Sequence, residues 1–339
     1  MKKKSSGFSS FLILFTLIWT GVVSVFDGFL IWGAVRREQA QTYPSTQGII
    51  IRSSIKESHD SDGSTYKAEI DFSYKVDGTF YGSDTYRYGV WSTSDHSYAQ
   101  SVVNKYTTGK QVEVFYNPSD PSDAILERDT QGQDLFFALF MTPFNVIMLG
   151  AWGFLASMLK RKITKPPAGG VPIQQRQGRT YLRLPRVTPL AAAGLTALGI
   201  SFVSIFIVAF GLGMNPSMST IQIVWACVLI PAVCMYFYKK FVVGSGAKDL
   251  VIDDVNGALS LPQTFGRKED IIVSLQAVTD VSIDEIISRT KNGTSVQYEA
   301  AIVYNRDGKS IKAKLVSWGD EDRANQFADW LRDRLGLTK

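Results

Sequence analysis

The chain has 339 residues, a formal net charge of +5, and 45% apolar against 20% charged residues. Two cysteines and two histidines supply neither a disulfide framework nor a metal-ligand cluster. The basic surplus is concentrated in one short stretch, so it does not mark a nucleic-acid-binding surface, and the apolar residues fall in four blocks rather than being spread through a water-soluble core.

Each block reaches the roughly 20 residues that a bilayer demands of a helix. The first, 11–35, follows a start that contains Lys2, Lys3 and Lys4. It is too long for the apolar region of a signal peptide and no small-residue cleavage site follows it, so it reads as a retained anchor. The others are 135–159, 189–214 and 221–241. Asp27 is the one acid or base inside the apolar part of any block; Lys239 and Lys240 stand at the end of the fourth. Asp27 lies about two turns of helix from Arg36, where head groups would solvate it. The alternative is a buried carboxylate in the bundle, and Asn145, beside Pro143 in the second block, would then hydrogen-bond to it across the helices.

Charge gives an orientation. Residues 160–188 carry eight Lys or Arg and no acid, whereas the 215–220 loop has no charge. The positive-inside rule then puts both termini and 160–188 in the cytoplasm, with 36–134 and 215–220 outside. Arg36 and Arg37 oppose this locally. The 36–134 segment itself is acidic, with ten bases against fifteen acids. These features suit the plasma (inner) membrane of a bacterium. The basic 160–188 segment lies where anionic lipid head groups would meet it; its Pro, Gly and Gln content reads as a flexible connector.

Between the first two blocks, 65–76 alternates strictly, with Ala68, Ile70, Phe72, Tyr74 and Val76 on one face. Asp77-Gly78 is a two-residue hairpin signal. A helix is expected over 94–107, capped at Ser94 or Asp95 and stopped by Gly109. Five strands and one helix predict a small closed β-sandwich or barrel. His59 next to Asp60 and Asp62 reads as a hairpin tip rather than a metal site, and His96 as a residue near the start of that helix.

The run Val112-x-Val114-Phe115-Tyr116-Asn117-Pro118-x-x-Pro121-x-x-Ala124-x-Leu126, with the hairpin at Val76-Asp77-Gly78 and the helix ending Tyr106-x-x-Gly109, resembles the family called domain of unknown function 3592 over about 43–129. The resemblance implies a membrane-tethered β-module and carries no catalytic residues.

After the fourth block, 250–316 reads as antiparallel strands separated by turns at 254–257, 291–293 and 306–309. Residues 320–336 then form an amphipathic helix whose apolar stripe is Ala324, Phe327, Ala328, Leu331 and Leu335. Such strands closed by one helix resemble a bacterial pleckstrin-homology-like barrel. Arg289 and Lys291, in its loops, are the candidate binding residues there.

The expected organisation is therefore an α+β membrane protein: 1–35, N-terminus and first span; 36–134, extracytoplasmic β-module; 135–159, second span; 160–188, basic linker; 189–241, third and fourth spans; 242–339, cytoplasmic barrel. No nucleophile elbow, phosphate loop or paired-carboxylate constellation is present, and Cys227 and Cys234 lie inside the fourth block, away from water. No cofactor is implied. The expected role is a non-enzymatic membrane-anchored adaptor that binds unknown protein partners. The alternative is a small transporter or channel subunit centred on Asp27.

Overall fold

The computed structural model describes residues 5–60, 63–164, 166–185, 187–211, 216–246, 248–263, 269–290 and 293–337. The chain is α+β and divides into two compact units, 1–151 with 194–232 and 152–193 with 233–339. Among the described residues, four helices are long and apolar enough to cross a membrane. They are α1 (Ser5–Ala40), α3 (Gly132–Thr164), α4 (Pro189–Phe206, continued by a π-helical turn Ile207–Gly211) and α5 (Met218–Gly244). The first runs beyond the expected 35 to Ala40, so Arg36 and Arg37 belong to the helix rather than to the 36–134 module. Both cysteines sit on the outer surface of α5. Both are exposed there, on a helix long and apolar enough to cross a membrane.

In the first unit, strands β1 (Ser45–Asp60), β2 (Gly63–Val76), β3 (Thr79–Ser83), β4 (Gln111–Asn117) and β5 (Asp120–Ile125) form one antiparallel sheet in the order β3-β2-β1-β4-β5. The alternation of β2 is realised, with Ala68, Ile70, Phe72, Tyr74 and Val76 all buried. Asp77 and Gly78 both adopt positive φ, 47° and 86°, as a tight hairpin requires. The ends of the sheet curl toward each other. Ser83 Oγ donates to the Ala124 carbonyl at 3.0 Å and the Tyr74 hydroxyl to that of Pro121, so side chains rather than a strand ladder bridge the edges. Helix α2 (His96–Lys105) lies across β1 and β2. The Asp95 carboxylate caps it by accepting from the amides of Ser97 and Tyr98.

Within the same unit, Phe136 and Leu139 of α3 pack with Val208, Ile221 and Val228. Trp225 Nε1 of α5 donates to the Leu135 carbonyl at 3.0 Å. A Cβ at Gly132 would collide with the carbonyl of Pro216, so the chain just before α5 passes directly over the start of α3.

The second unit corrects the expected flexible connector. A 3-10 turn, Ala168–Gly170, is followed by β6 (Ile173–Arg176) and β7 (Arg179–Leu182). These join β8 (Leu250–Asp253), β9 (Ala258–Leu261) and β10 (Ile271–Ser274) in a five-stranded antiparallel sheet, order β10-β9-β8-β7-β6. Thr180, Leu182 and Leu184 are buried while Arg179 and Arg183 alternate with them. Arg179 Nε lies 2.8 Å from the Asp253 carboxylate and Arg183 Nε 3.9 Å from that of Asp249, so these two bases have partners inside the unit. The turn that joins β6 to β7 is Gln177-Gly178, again with two positive φ values. The α4–α5 hairpin is thus inserted between two adjacent, paired strands: Leu182 stands opposite Leu250.

Strands β11 (Val278–Thr290), β12 (Gly293–Arg306) and β13 (Lys309–Trp318) make a second antiparallel sheet. Helix α6 (Glu321–Arg334) buries Ala324, Phe327, Ala328 and Leu331 in the common core. Its end is a Schellman motif, with Gly336 at φ 69°, its amide on Asp333 and that of Leu337 on Arg332.

This arrangement predicts that a 248–337 fragment lacks two strands of its sheet and does not fold, whereas 166–185 fused to 248–337 does. Circular dichroism and an amide NMR spectrum distinguish the two. In the intact chain, Leu182→Ala should cost about 2–5 kcal/mol by leaving a core cavity, read as a lower denaturation midpoint.

Candidate functional site

The first unit contains an unusual density of buried charge where α1 and α3 meet the β-module. The last turns of α1 carry Arg36 and Arg37, and the first turn of α3 carries Asp134. Between β3 and α2 the chain from Asp84 to Thr93 runs without a regular ladder and descends along α1. Gly89, at φ 75°, passes so close to Gly33 that a Cβ on Gly33 would stand 3.0 Å from the Gly89 Cα. Below that contact Trp91 packs among Phe26, Phe29 and Phe137, with its ring 4.1 Å from that of Phe29 between centroids.

Two arginines meet one carboxylate here. Arg37 is 5% exposed and Arg87 3%. Arg37 Nη2 lies 3.4 Å from Asp134 Oδ1, Arg87 Nη2 pairs with Asp134 Oδ2, and the Gln131 amide donates to Oδ2 at 2.8 Å. Arg37 Nη1 also donates to the Tyr88 carbonyl at 2.8 Å. Asp134 is in addition at the positive end of the α3 dipole. Hydrogen bonds and counter-charge together make burial of these groups tolerable.

A second carboxylate, Asp123 of β5, binds the Arg36 guanidinium, the Tyr88 hydroxyl at 2.6 Å and Asn117 Nδ2 at 3.2 Å. The Arg36 guanidinium also stacks over the Tyr88 ring. Desolvation works to raise the pKa of Asp123, but its hydrogen bonds from Tyr88, Arg36 and Asn117 outweigh this and hold the carboxyl below the ordinary value. Burial, then the bond to Asp123, pushes the Tyr88 phenol up.

Deeper along the same helices, Asn145 Nδ2 donates to Asp27 Oδ1 at 3.0 Å and also to the Met141 carbonyl at 3.2 Å. Both side chains are half-buried. Asp27 precedes Arg37 by ten residues and Asn145 follows Asp134 by eleven, so both helices place this pair about 15 Å along the axis from the arginine cluster. Arg289 is the penultimate residue of β11 in the second unit, exposed, opposite Thr294 in the ladder. Lys291 lies outside the described residues. Among the described residues no three His, Cys, Asp or Glu gather as a metal site; His59 instead meets Ser64 Oγ at 2.7 Å on exposed strand ends.

The cluster of Arg37, Arg87 and Asp134 was not identified from sequence. The signal was present: two arginines in a stretch whose topology argues against them need carboxylate partners, and the acidic surplus of 36–134 supplies them. Which acids serve depends on the loop and helix contacts.

Asp134→Asn should destabilise the protein by about 3–5 kcal/mol, because it strands two buried guanidinium groups. Combining it with Arg37→Met and Arg87→Met should recover part of that loss; thermal denaturation in detergent reads both. The depressed Asp123 carboxyl contributes stability that is complete above its unfolded value near ~3.9 and is lost as pH falls through its lower folded value. Below about pH 4 the melting temperature should fall, and Asp123→Asn should lack that component.

Residues 46–131 match a family model described as Domain of unknown function (DUF3592). No curated protein and no solved structure matches the chain. The matched segment begins within β1 and stops at the residue before α3, so it holds Arg87, Tyr88 and Asp123 but neither Arg37 nor Asp134. The module that these helices clamp, residues 46–131, is thus a domain of the family described as Domain of unknown function (DUF3592).

Proposed function

We propose that the chain is a non-enzymatic membrane-anchored adaptor that presents the 46–131 module outside the plasma membrane and the C-terminal unit in the cytoplasm, with both termini cytoplasmic. The observation that carries this reading is the way each folded module is built onto helix ends. The Arg37–Asp134–Arg87 cluster ties the first module to α1 and α3. The β7–β8 pairing ties the second unit to α4 and α5. A platform whose spans emerge directly from two binding domains suits recognition on both faces. The pairing of Arg36 and Arg37 with Asp123 and Asp134 also weakens the one argument against this orientation, since neutralised arginines exert little pull on topology.

Two antiparallel sheets with a helix packed at the C-terminal end support a pleckstrin-homology-like reading of the second unit. Its contacts would be a protein partner near the exposed Arg289 and anionic lipid head groups at the basic 160–188 segment. A bacterial inner membrane suits the whole.

The second reading, a transport or channel subunit, is favoured by the Asp27–Asn145 hydrogen bond. If the arginine cluster marks the outer edge of a hydrocarbon layer about 30 Å thick, that pair stands near mid-depth, where an ionisable residue usually has a function.

Two measurements separate the readings. A membrane-impermeant maleimide should label Thr65→Cys on intact cells and Ser310→Cys only after permeabilisation; the reverse pattern refutes the orientation. Asp27→Leu should leave cross-linked partners of the full-length protein unchanged if it is an adaptor. Loss of ion or solute flux in proteoliposomes, with partners intact, would instead establish the transport reading.

A further inference from the structure

In the second unit, β11 and β12 outrun the rest of their sheet. The β13 ladder ends where Trp318 stands opposite Tyr298. Beyond that row β11 and β12 pair only with each other, from Ile286 opposite Gln297 to Thr290 opposite Gly293. Five residue pairs make a two-stranded arm about 16 Å long. An isolated two-stranded hairpin is at best marginally stable in water.

The arm is also apolar where it has no core to join. Successive residues of a strand face opposite sides. One face carries Ile287 with Val296 opposite, in line with the buried Val281 and Ile302; the other carries Ile286. Ile286 is 38% exposed and Ile287 52%. No acid occurs from Ile286 to Tyr298, and the charges there are Arg289 and Lys291. The acids at the base of the arm include Asp284 and Glu299, which pair with Lys312 and Lys314.

The direction of the arm follows from contacts within the unit. The Arg323 guanidinium lies over the Trp318 ring, and its Nε donates to the Gly169 carbonyl at 2.6 Å. Gly169 is five residues after the end of α3. Leu182 and Leu250, which lead into α4 and out of α5, share a ladder row with Ile173, four residues after Gly169. The arm therefore leaves the unit at the end where the chain arrives from α3. An exposed apolar patch at such an end has a bilayer as its neighbour.

We propose that the tip of this arm inserts into the membrane surface, with Ile286, Ile287 and Val296 entering the boundary of the acyl chains and Arg289 meeting an anionic phospholipid head group. The apolar stem of an arginine suits that level, its guanidinium remaining among the head groups. The proposal requires that the helices cross a membrane and is independent of the adaptor and transport readings. It gives the Arg289 surface a lipid rather than a protein to meet.

The test uses the full chain with Cys227→Ala and Cys234→Ala, in phosphatidylcholine–phosphatidylglycerol vesicles. A nitrobenzoxadiazole probe is attached at Ser288→Cys, on the arm, or at Ser310→Cys, at the opposite end of the same sheet. Lipid with a doxyl group on its acyl chain should quench the Ser288 probe several-fold more than the Ser310 probe. Iodide on both sides of the membrane should do the reverse. Ile286→Ser with Ile287→Ser should abolish the difference without lowering the melting temperature; the comparison of the two probes stands without that variant. Arg289→Ala, or omission of phosphatidylglycerol, should weaken the lipid quenching, and indifference to both overturns the head-group contact. Equal lipid quenching at the two sites, or a Ser288 probe open to iodide, would show an arm in water and available to a protein partner. A Ser288 probe shielded from both quenchers would show a second copy covering it. Each of these results overturns insertion.

Discussion

The architecture of the first unit depends on one carboxylate. Asp134 opens α3, accepts from the Gln131 amide, and faces two guanidinium groups, one from the end of α1 and one from the module between the helices. Each arginine is nearly inaccessible, so neither tolerates loss of its counter-charge. The cluster fixes three elements distant in sequence: Arg37, Arg87 and Asp134 cannot meet unless the Gly33–Gly89 contact closes and the loop below it follows α1 downward. That descent delivers Trp91 among Phe26, Phe29 and Phe137.

The second unit joins its module to its spans through strand pairing. Its sheet is completed by strands from both sides of the α4–α5 insertion, so the pairing of Leu182 with Leu250 brings the two ends of that insertion together. Six residues of chain separate β7 from α4 and five separate α5 from β8. In both units the covalent link between span and module is reinforced by a non-covalent one.

Much of this was legible in the chain. The four spans follow from block length, the β2 strand from strict alternation, the hairpin from Asp77-Gly78 and α6 from its apolar stripe. The Asp27–Asn145 hydrogen bond was present in the sequence reading only as the alternative to an Asp27 solvated by head groups. The 160–188 segment was misread because its strands are only four residues long and its charge drew attention first. The alternation of Thr180, Leu182 and Leu184 with arginines was nevertheless present, and Gln177-Gly178 occupied the turn between two strands.

By itself the sequence determined which segments are apolar enough to leave water, which alternate, and where turns fall, because these depend on local composition and spacing. Only the tertiary structure decided which carboxylate neutralises Arg37, which strands complete the C-terminal sheet, and where Trp91 is placed. Those outcomes are pairings across 46 to 97 residues, and local periodicity carries no information about them. They are selected by the cost of leaving charge, strand edge or aromatic surface without a partner.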